Sequence, residues 1–370
     1  MRHLRLAVLS LALGLMTGCA SSTAPWNWFA GESEQRVLIE APAASELGYT
    51  LSWLEDLGLP ADEEIAGVYP LGDLIIVIEQ QSNTIWALSA RDGQRQWATV
   101  VGNPDLPLHG ALRHDGLVHI SSTTRLYSLR EHTGELIDTT PLESAVTTGP
   151  VHHENYAIFG AINGRIFAHG FESNFPAWLY KLPDQIITPP VLTRGRVFFA
   201  DASGNYVLLD ANNGDRLWRG HTFGPVTAKP VADENTIYVA SEDRSLYALS
   251  LGNLGEDRWR YHTDVPLTRS PVVFQDVVFL SIPGHGTIAL DIETGEPLWE
   301  MSEQDNQPIL QRGDELLLST GQSLELVEAR TGALVAQAPT LTLERVIPGP
   351  DDSLILVSPD GRLMRLDRTP

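Results

Sequence analysis

Short apolar runs separated by polar turns recur along most of the chain. The runs hold three to seven residues, are rich in aliphatic and aromatic side chains, and are flanked by Gly, Asn and Asp. The clearest are 74–78, 197–200, 237–240, 277–280 and 316–318. No long stretch shows the 3.6-residue period of an amphipathic helix. The pattern therefore predicts short antiparallel strands joined by tight turns.

The strand pattern repeats with a period of about 40 residues. Tryptophans mark one slot of the repeat, at Trp53, Trp97, Trp178, Trp218, Trp259 and Trp299. The one long interval, 81 residues between Trp97 and Trp178, is two periods with Asp138 in the skipped slot. Pro-Val phrases such as Pro190-Val191 open many units, and Asn-Gly or Thr-Gly turns precede many of the Trp slots. A fixed period of this length indicates a repeat architecture.

Unit starts can be counted near residues 66, 110, 149, 189, 229, 270, 308 and 346, which makes eight. A four-stranded sheet of 40 residues cannot bury both faces alone, so neighbouring sheets must pack face to face around a ring. The last unit ends before its Trp strand, whereas residues 50–54 around Trp53 precede the first unit. We therefore predict an all-β, eight-bladed β-propeller of four-stranded antiparallel blades, closed by the N-terminal strand joining the last blade.

The first 19 residues have the features of a secretion signal. Arg2 and Arg5 precede an apolar run over residues 6–15, which is too short to span a bilayer as a helix, and Gly18-Cys19 follows. Residues 15–19 resemble a bacterial lipobox, which implies cleavage before Cys19 and its modification with acyl chains such as palmitate. The predicted division is a signal peptide at 1–18, a lipidated tether at 19–48 and one propeller domain at 49–370. An ordinary signal peptide with a chance cysteine is the alternative.

Charge excludes one class of partner. The chain has 25 Lys and Arg against 47 Asp and Glu, a formal net charge of −22. Such a surface repels polyphosphates, so we expect no nucleic-acid partner. Only Lys181 and Lys229 are lysines; the other cations are arginines.

The repeated phrases resemble the PQQ-type propeller repeat, as in Ile288-Ala289-Leu290-Asp291 followed by Thr294-Gly295 and Trp299. An eight-bladed version behind a lipobox is similar to the BamB-like lipoproteins of the outer-membrane β-barrel assembly machinery. The resemblance implies a non-enzymatic scaffold on a lipid anchor at the outer membrane, facing the periplasm. The implied partners are the β-barrel assembly protein of that membrane (BamA-like) and nascent outer-membrane proteins. Ala20, after the cysteine, favours outer-membrane sorting by the same resemblance.

Enzymatic and cofactor-binding alternatives have weak support in the sequence. Quinoprotein dehydrogenases of this repeat class are known for a vicinal disulfide, which one cysteine cannot form, so we expect no quinone. We also expect no other cofactor and no metal. His152-His153-Glu154 could supply metal ligands, but it occupies a position between strands in the repeat. Gly284-His285-Gly286 matches part of a dinucleotide motif without the following helix, which favours a turn.

Two groups of residues are candidate sites. The six repeated tryptophans are expected to pack between blades rather than to stack on a ligand. The loop with Leu182, Gln185, Ile186 and Ile187 is a candidate partner contact because it carries apolar residues in a turn; alternatively, Ile186 and Ile187 begin the next strand. The competing function is a cell-envelope propeller that binds a small ligand or polysaccharide, or a paralogue serving another envelope complex.

Overall fold

The computed structural model describes residues 37–252, 255–282, 284–301 and 306–369. A short helix, α1 (Ala41–Glu46), is followed by strand β1 (Tyr49–Asp56) and 31 further strands. They form eight four-stranded antiparallel sheets, so the predicted eight-bladed propeller is confirmed. Signal peptide 1–18, Cys19 and the tether as far as residue 36 lie outside the described residues.

The first four blades follow the chain without interruption. Blade 1 has β2 (Ile65–Leu71), β3 (Leu74–Glu79), β4 (Thr84–Ser89) and β5 (Arg95–Val100). Blade 2 has β6 (Leu108–His114), β7 (Leu117–Ser122), β8 (Arg125–Arg130) and β9 (Leu136–Pro141). Blade 3 has β10 (Val151–His153), β11 (Tyr156–Gly160), β12 (Arg165–Gly170) and β13 (Pro176–Lys181). Blade 4 has β14 (Val191–Thr193), β15 (Arg196–Ala200), β16 (Asn205–Asp210) and β17 (Arg216–His221).

The remaining blades repeat this order until the last. Blade 5 has β18 (Val231–Ala232), β19 (Thr236–Ser241), β20 (Ser245–Ser250) and β21 (Asp257–His262). Blade 6 has β22 (Val272–Phe274), β23 (Val277–Ile282), β24 (Gly286–Asp291) and β25 (Pro297–Met301). Blade 7 has β26 (Gln307–Arg312), β27 (Glu315–Ser319), β28 (Ser323–Glu328) and β29 (Leu334–Pro339). Blade 8 has β30 (Arg345–Pro348), a 3-10 turn (Pro350–Asp352), β31 (Leu354–Val357) and β32 (Arg362–Arg368).

Burial explains why the apolar runs are continuous. The two middle strands of a blade are covered on both faces by neighbouring blades, so every residue of β19 is buried. Outer strands are covered on one face and alternate, as in β17, where Trp218 is buried between exposed neighbours. The core is therefore divided into separate layers between adjacent sheets.

Strand β1 closes the ring by pairing antiparallel with β32, from Tyr49 opposite Arg368 to Asp56 opposite Arg362. It supplies the outer strand of blade 8, as the sequence predicts. Backbone pairing of the first described strand with the last holds both ends of the ring without a covalent bond.

Residues 37–48, assigned to the tether by sequence, are packed on the propeller. Leu38, Ile39 and Leu47 are fully or almost fully buried against blades 7 and 8. The N–H of Leu341 donates to the Leu38 carbonyl at 2.8 Å, and Arg312 donates to the Leu47 carbonyl at 3.1 Å. Residues 37–48 thus belong to the same compact unit as the ring.

Each of the six repeated tryptophans packs on a glycine turn of the next blade. A Cβ atom built on that glycine would lie 2.5–2.9 Å from the indole, and the glycines have φ of about 70°. Glycine suits both requirements because it has no side chain and adopts positive φ without strain. The pairs are Trp53–Gly93, Trp97–Gly134, Trp178–Gly214, Trp218–Gly255, Trp259–Gly295 and Trp299–Gly332. We call each pair a Trp–Gly dock.

Five of the six docks add a hydrogen bond. The indole N–H donates to a backbone carbonyl in the same turn, with N to O distances of 2.7–3.1 Å. Trp218 lacks this bond: its Nε1 is buried without a partner among the described residues, and Arg196 donates instead to the Leu251 carbonyl at that position in the turn.

Within the described ranges, the structure contains no helix with the length and hydropathy of a membrane span.

Candidate docking site

Two kinds of loop share one face of the ring, here called the upper face. They are the loops from each outer strand to the next blade and the turns between the second and third strands. Backbone hydrogen bonds join the two, as from Leu182 N–H to Gly164 and from Thr222 N–H to Gly204, both at 2.9 Å. The lower face carries the other turns of each blade. Loops on such a scaffold are free to vary and are the usual location of binding residues.

A cleft of about 610 Å³ lies on the upper face between the outer parts of blades 3 and 4. We call it the rim cleft. Residues from strands β13 and β17, from the start of β16 and from the loop after β13 line it: Tyr180, Lys181, Leu182, Pro183, Asn205, Tyr206, Arg219, Gly220 and His221. Because β13 and β17 are edge strands, each offers unpaired backbone groups beside the cleft.

The rim cleft is cationic on an acidic protein. None of its lining residues is acidic, and Lys181, Arg219 and His221 are all exposed. Within the part of the chain that the structure describes, neither Lys181 nor Arg219 forms an ion pair or a side-chain hydrogen bond. Arginines elsewhere are commonly paired, as Arg113 is with Glu131 at 2.6 Å. The cleft is therefore a local positive potential available to an anionic group.

An exposed aromatic residue stands next to the rim cleft. Phe223, in the loop after blade 4, leaves 75% of its surface exposed. Its ring centroid is 5.5 Å from that of His221, in edge geometry, and 5.4 Å from the guanidinium carbon of Arg260. Large aromatic side chains beside arginine are the residues most often found to dominate protein interfaces.

The predicted contact loop is only partly available for such an interface. Leu182 and Ile186 are 4% and 0% exposed because they pack into the core layer between blades 3 and 4, so these two side chains leave little surface for a partner. Gln185 and Ile187 keep partial exposure. Nor do Ile186 and Ile187 begin a strand, since β14 starts at Val191.

Blade 5 carries a linked polar cluster next to the rim cleft. Arg260 lies 3.5 Å from the Asp243 carboxylate, donates to Ser245 Oγ at 2.9 Å and stacks on Tyr247 at 4.4 Å from the ring centroid. Burial alone would raise the pKa of Asp243, but hydrogen bonds from the Tyr247 hydroxyl and the Phe223 N–H and the charge of Arg260 hold it below its usual value. Asp243 is therefore a carboxylate, and it fixes Arg260 in place.

The central channel has a second cavity, of about 430 Å³, bounded by the inner strands of blades 3 to 5. Lys229 and His152 are its charged or titratable residues, and the others are apolar, such as Val191 and Pro230. Lys229 is exposed to this space and has no ion-pair partner among the described residues. Each of the two lysines of the chain thus lines one cavity.

The histidines that sequence offers as metal ligands point apart. His152 Nε2 lies 3.2 Å from His114 Nδ1 and 2.7 Å from the Glu154 carbonyl, whereas His153 Nε2 lies 3.0 Å from Asn212 Oδ1. No group of three or more His, Cys, Asp or Glu side chains with metal-binding geometry occurs among the described residues. His152 instead belongs to a cluster between blades 2 and 3 with His114, His119 and Phe171.

Arg219, His221 and Phe223 are the residues that sequence reasoning missed. Their signal is present in the repeat: Arg219 and His221 stand one and three places after Trp218, as Arg260 and His262 do after Trp259. The repeat alone does not reveal that Arg260 and His262 have polar partners in their own blade whereas Arg219 has none among the described residues, because those partners come from a separate turn.

The chain is similar in sequence to a family model and to proteins of known name. The family model described as "Outer membrane protein assembly factor BamB" matches residues 51–178, 122–228 and 183–369. A Yersinia pestis protein named outer membrane protein assembly factor BamB is 27% identical over 191 residues, which is 47% of this chain and 48% of that protein. The serine/threonine-protein kinase AfsK of Streptomyces griseus is 28% identical over 156 residues, 38% of this chain but 19% of the kinase. The chain therefore spans about half, or less, of these relatives.

Solved structures agree on the fold. BamB from Moraxella catarrhalis superposes with a TM-score of 0.67 at 17% identity, covering 85% of this chain and 97% of that one. The designed protein Ika8 gives a TM-score of 0.70 at 12% identity, covering 86% and 99% of the two chains. Because Ika8 matches as well as BamB does, the superposition supports the propeller and no particular role. The family model, matching nearly the whole described ring, shows that the chain belongs to the BamB family of PQQ-repeat propellers.

Proposed function

We propose that the protein is a non-enzymatic lipoprotein scaffold in the assembly and insertion of outer-membrane β-barrel proteins. Family membership carries this proposal, since the BamB model matches residues 51–369 with overlapping segments. In this proposal Cys19 is acylated, the ring faces the periplasm from the outer membrane, and the partner is the β-barrel assembly protein of that membrane.

The upper face around blades 3 to 5 is the proposed docking surface. It combines the rim cleft, the cations Lys181 and Arg219, which have no ion-pair partner in the described ranges, and the exposed ring of Phe223. These features are what a rigid scaffold needs for a specific contact, since an aromatic anchor supplies apolar area and charges fix orientation. Edge strands β13 and β17 add the possibility of pairing with an extended segment of a nascent strand.

A mild-detergent pull-down of the tagged lipoprotein from its own membranes tests the proposal. Wild type should recover the β-barrel assembly protein, and Cys19→Ala should recover less because the protein is no longer held at the membrane. Phe223→Ala should lower recovery further than Phe175→Ala, which removes an equally exposed ring on the lower face. Intact tagged protein without the assembly protein, in repeated preparations, would reject the scaffold role.

The second candidate is a propeller that binds an anionic ligand, such as an acidic polysaccharide, in its channel. Lys229 favours it, because this exposed cation, which has no ion-pair partner within the described part of the chain, lines the 430 Å³ cavity. Saturable binding of an acidic envelope polysaccharide that is lost in Lys229→Ala, together with no recovery of an assembly protein, would support this candidate over the scaffold.

A further inference from the structure

Blades 4 and 5 place the same residue types at the same register positions. In blade 4, Arg219 pairs across the sheet with Val207 and His221 with Asn205. In blade 5, Arg260 pairs with Tyr247 and His262 with Ser245. Ala200 pairs with Tyr206 in blade 4 and Ala240 with Leu246 in blade 5. The same number of residues separates each pair, so Ser203 in blade 4 corresponds to Asp243 in blade 5.

In blade 5 the turn supplies the counter-charge internally. Asp243 accepts hydrogen bonds from the Tyr247 hydroxyl and from the Phe223 N–H, the latter at 2.9 Å, and lies 3.5 Å from Arg260. His262 Nδ1 lies 2.9 Å from Ser245 Oγ, which also accepts a bond from Arg260. Every cation of this cluster therefore has a polar partner from the same blade.

In blade 4 the equivalent partners are missing. Ser203 replaces the carboxylate, Val207 replaces the tyrosine, and Pro183, which has no N–H, stands where Phe223 stands in the next loop. The acid of this turn, Asp201, is fully buried and accepts a hydrogen bond from Asn205 at 3.0 Å, and a second acid, Asp184, lies in the loop after β13. Its oxygen accepts a 2.5 Å hydrogen bond from Ser203, which, with the N–H of Gln185, lowers its pKa, and no ion pair joins it to Arg219 in the described chain.

We propose that a carboxylate of the partner protein binds in the rim cleft between Lys181, Arg219 and His221, where it takes the part that Asp243 plays in blade 5. This inference rests on the proposed scaffold function and names the chemistry of its contact: an Asp, Glu or C-terminal carboxylate on an extended segment. The 610 Å³ cleft has room for such a segment, and the edges of β13 and β17 offer backbone groups to it.

A protein carboxylate fits better than other anions for two reasons. The guanidinium of Arg219 lies beside an edge strand, so a side-chain carboxylate and the backbone of the same segment can be bound together. The exposed ring of Phe223, adjacent to His221, offers apolar contact to the rest of that segment. With a net charge of −22, the remaining surface repels acidic segments, which confines them to this cleft.

Quantitative pull-down of the β-barrel assembly protein from native membranes tests the inference. Arg219→Gln, which removes the charge at similar length, should lower recovery about tenfold, as loss of a charged hydrogen-bonding partner at an interface does. Arg219→Lys should keep recovery within about threefold of wild type. Arg216→Gln is the matched control, because Arg216 is exposed on the same strand but does not line the cleft.

A second variant supplies the carboxylate within the chain. Asp184→Gly/Ser203→Asp copies the pair Gly224 and Asp243 of the next turn, and should lower recovery about as much as Arg219→Gln while the midpoint of urea unfolding stays unchanged or rises. Asp184→Gly alone is its control. Equal recovery by Arg219→Gln and Arg216→Gln, with wild type still recovering the assembly protein, would reject the carboxylate site and leave the scaffold function intact.

Two further outcomes would also overturn the inference. If wild type recovers no assembly protein, the proposed function fails and the carboxylate site fails with it. If Arg219→Gln loses binding to phosphatidylglycerol vesicles but keeps its protein partner, the cleft binds a lipid phosphate instead.

Discussion

Blade 3 meets its two neighbours in different ways. Towards blade 4, Trp178 packs on Gly214 and donates its indole N–H to Ala211 at 3.0 Å. Towards blade 2, the tryptophan slot holds Asp138 and the glycine slot holds Asn174, whose amide lies 3.4 Å from the Asp138 carboxylate. Both slots change together because an indole has no room over an asparagine side chain.

The blade 2–3 interface replaces indole packing with histidines. Phe171 packs between His114 and His119, with ring centroids 4.4 and 4.5 Å away. Burial lowers the pKa of His119 to about 4, helped by the nearby His114, His152 and His169. The blade 3–4 interface thus packs an indole on a glycine turn, whereas the blade 2–3 interface places buried histidines around Phe171. The repeat tolerates either because each blade contacts only its neighbours.

The largest expected effect is loss of a dock. Trp178→Ala should lower the free energy of unfolding by about 3–5 kcal/mol, because it leaves a cavity between blades 3 and 4 and removes a hydrogen bond. Asp138→Ala, in the same slot of blade 2, should cost less than about 1 kcal/mol, since the Asp138 side chain is exposed. Urea unfolding of both variants measures the difference; equal midpoints would show that the dock adds no stability.

Acid should weaken the blade 2–3 interface selectively. The folded pKa of His119 is about 4, below its ordinary value of 6.5, so the unfolded chain binds the proton more readily. The free energy of unfolding should fall as pH drops from about 6.5 and level off below about 4, by at most about 3 kcal/mol from this residue. Unfolding midpoints across this range, compared with His119→Gln, isolate the contribution. An unchanged pH slope in the variant would contradict it.

The turn glycine should matter at one interface and not at the other. Gly214→Ala places a methyl group 2.7 Å from the Trp178 ring at φ of +73°, so we expect a loss of about 2 kcal/mol. Asn174→Gly, at φ of +56°, should change stability by less than about 0.5 kcal/mol. Thermal unfolding of the two variants decides; a neutral Gly214→Ala would mean that the indole moves freely.

A dock can be built where it is missing. Asp138→Trp alone should destabilise the chain because Asn174 occupies the space, whereas Asp138→Trp/Asn174→Gly should recover the loss. The expected coupling between the two substitutions is about 1 kcal/mol. A double-mutant cycle in urea measures it, and additive effects would contradict the pairing of the two slots.

The repeat in the sequence predicts the ring well because blade packing is local and periodic. The Trp slots, the glycine turns and the incomplete last unit are enough for eight blades and their closure at Trp53. The sequence offers Leu182 and Ile186 only as candidate contacts, because an apolar turn has the same pattern whether it faces solvent or the next sheet. Residues 37–48 show no repeat, and they pack on parts of the chain far away in sequence, as where Ile39 forms a β-bridge with Thr340. Arg219 stands out only once its missing partners are seen.

Site-specific photocrosslinking in native membranes tests the central claim most directly. Phe223 and Phe175 are 75% and 73% exposed, the first on the upper face beside the rim cleft and the second on the lower face beside the blade 2–3 interface. A photoreactive phenylalanine at position 223 should crosslink to the β-barrel assembly protein, and the same group at 175 should not. Crosslinks to that protein from 175 and none from 223 would contradict docking through the upper rim.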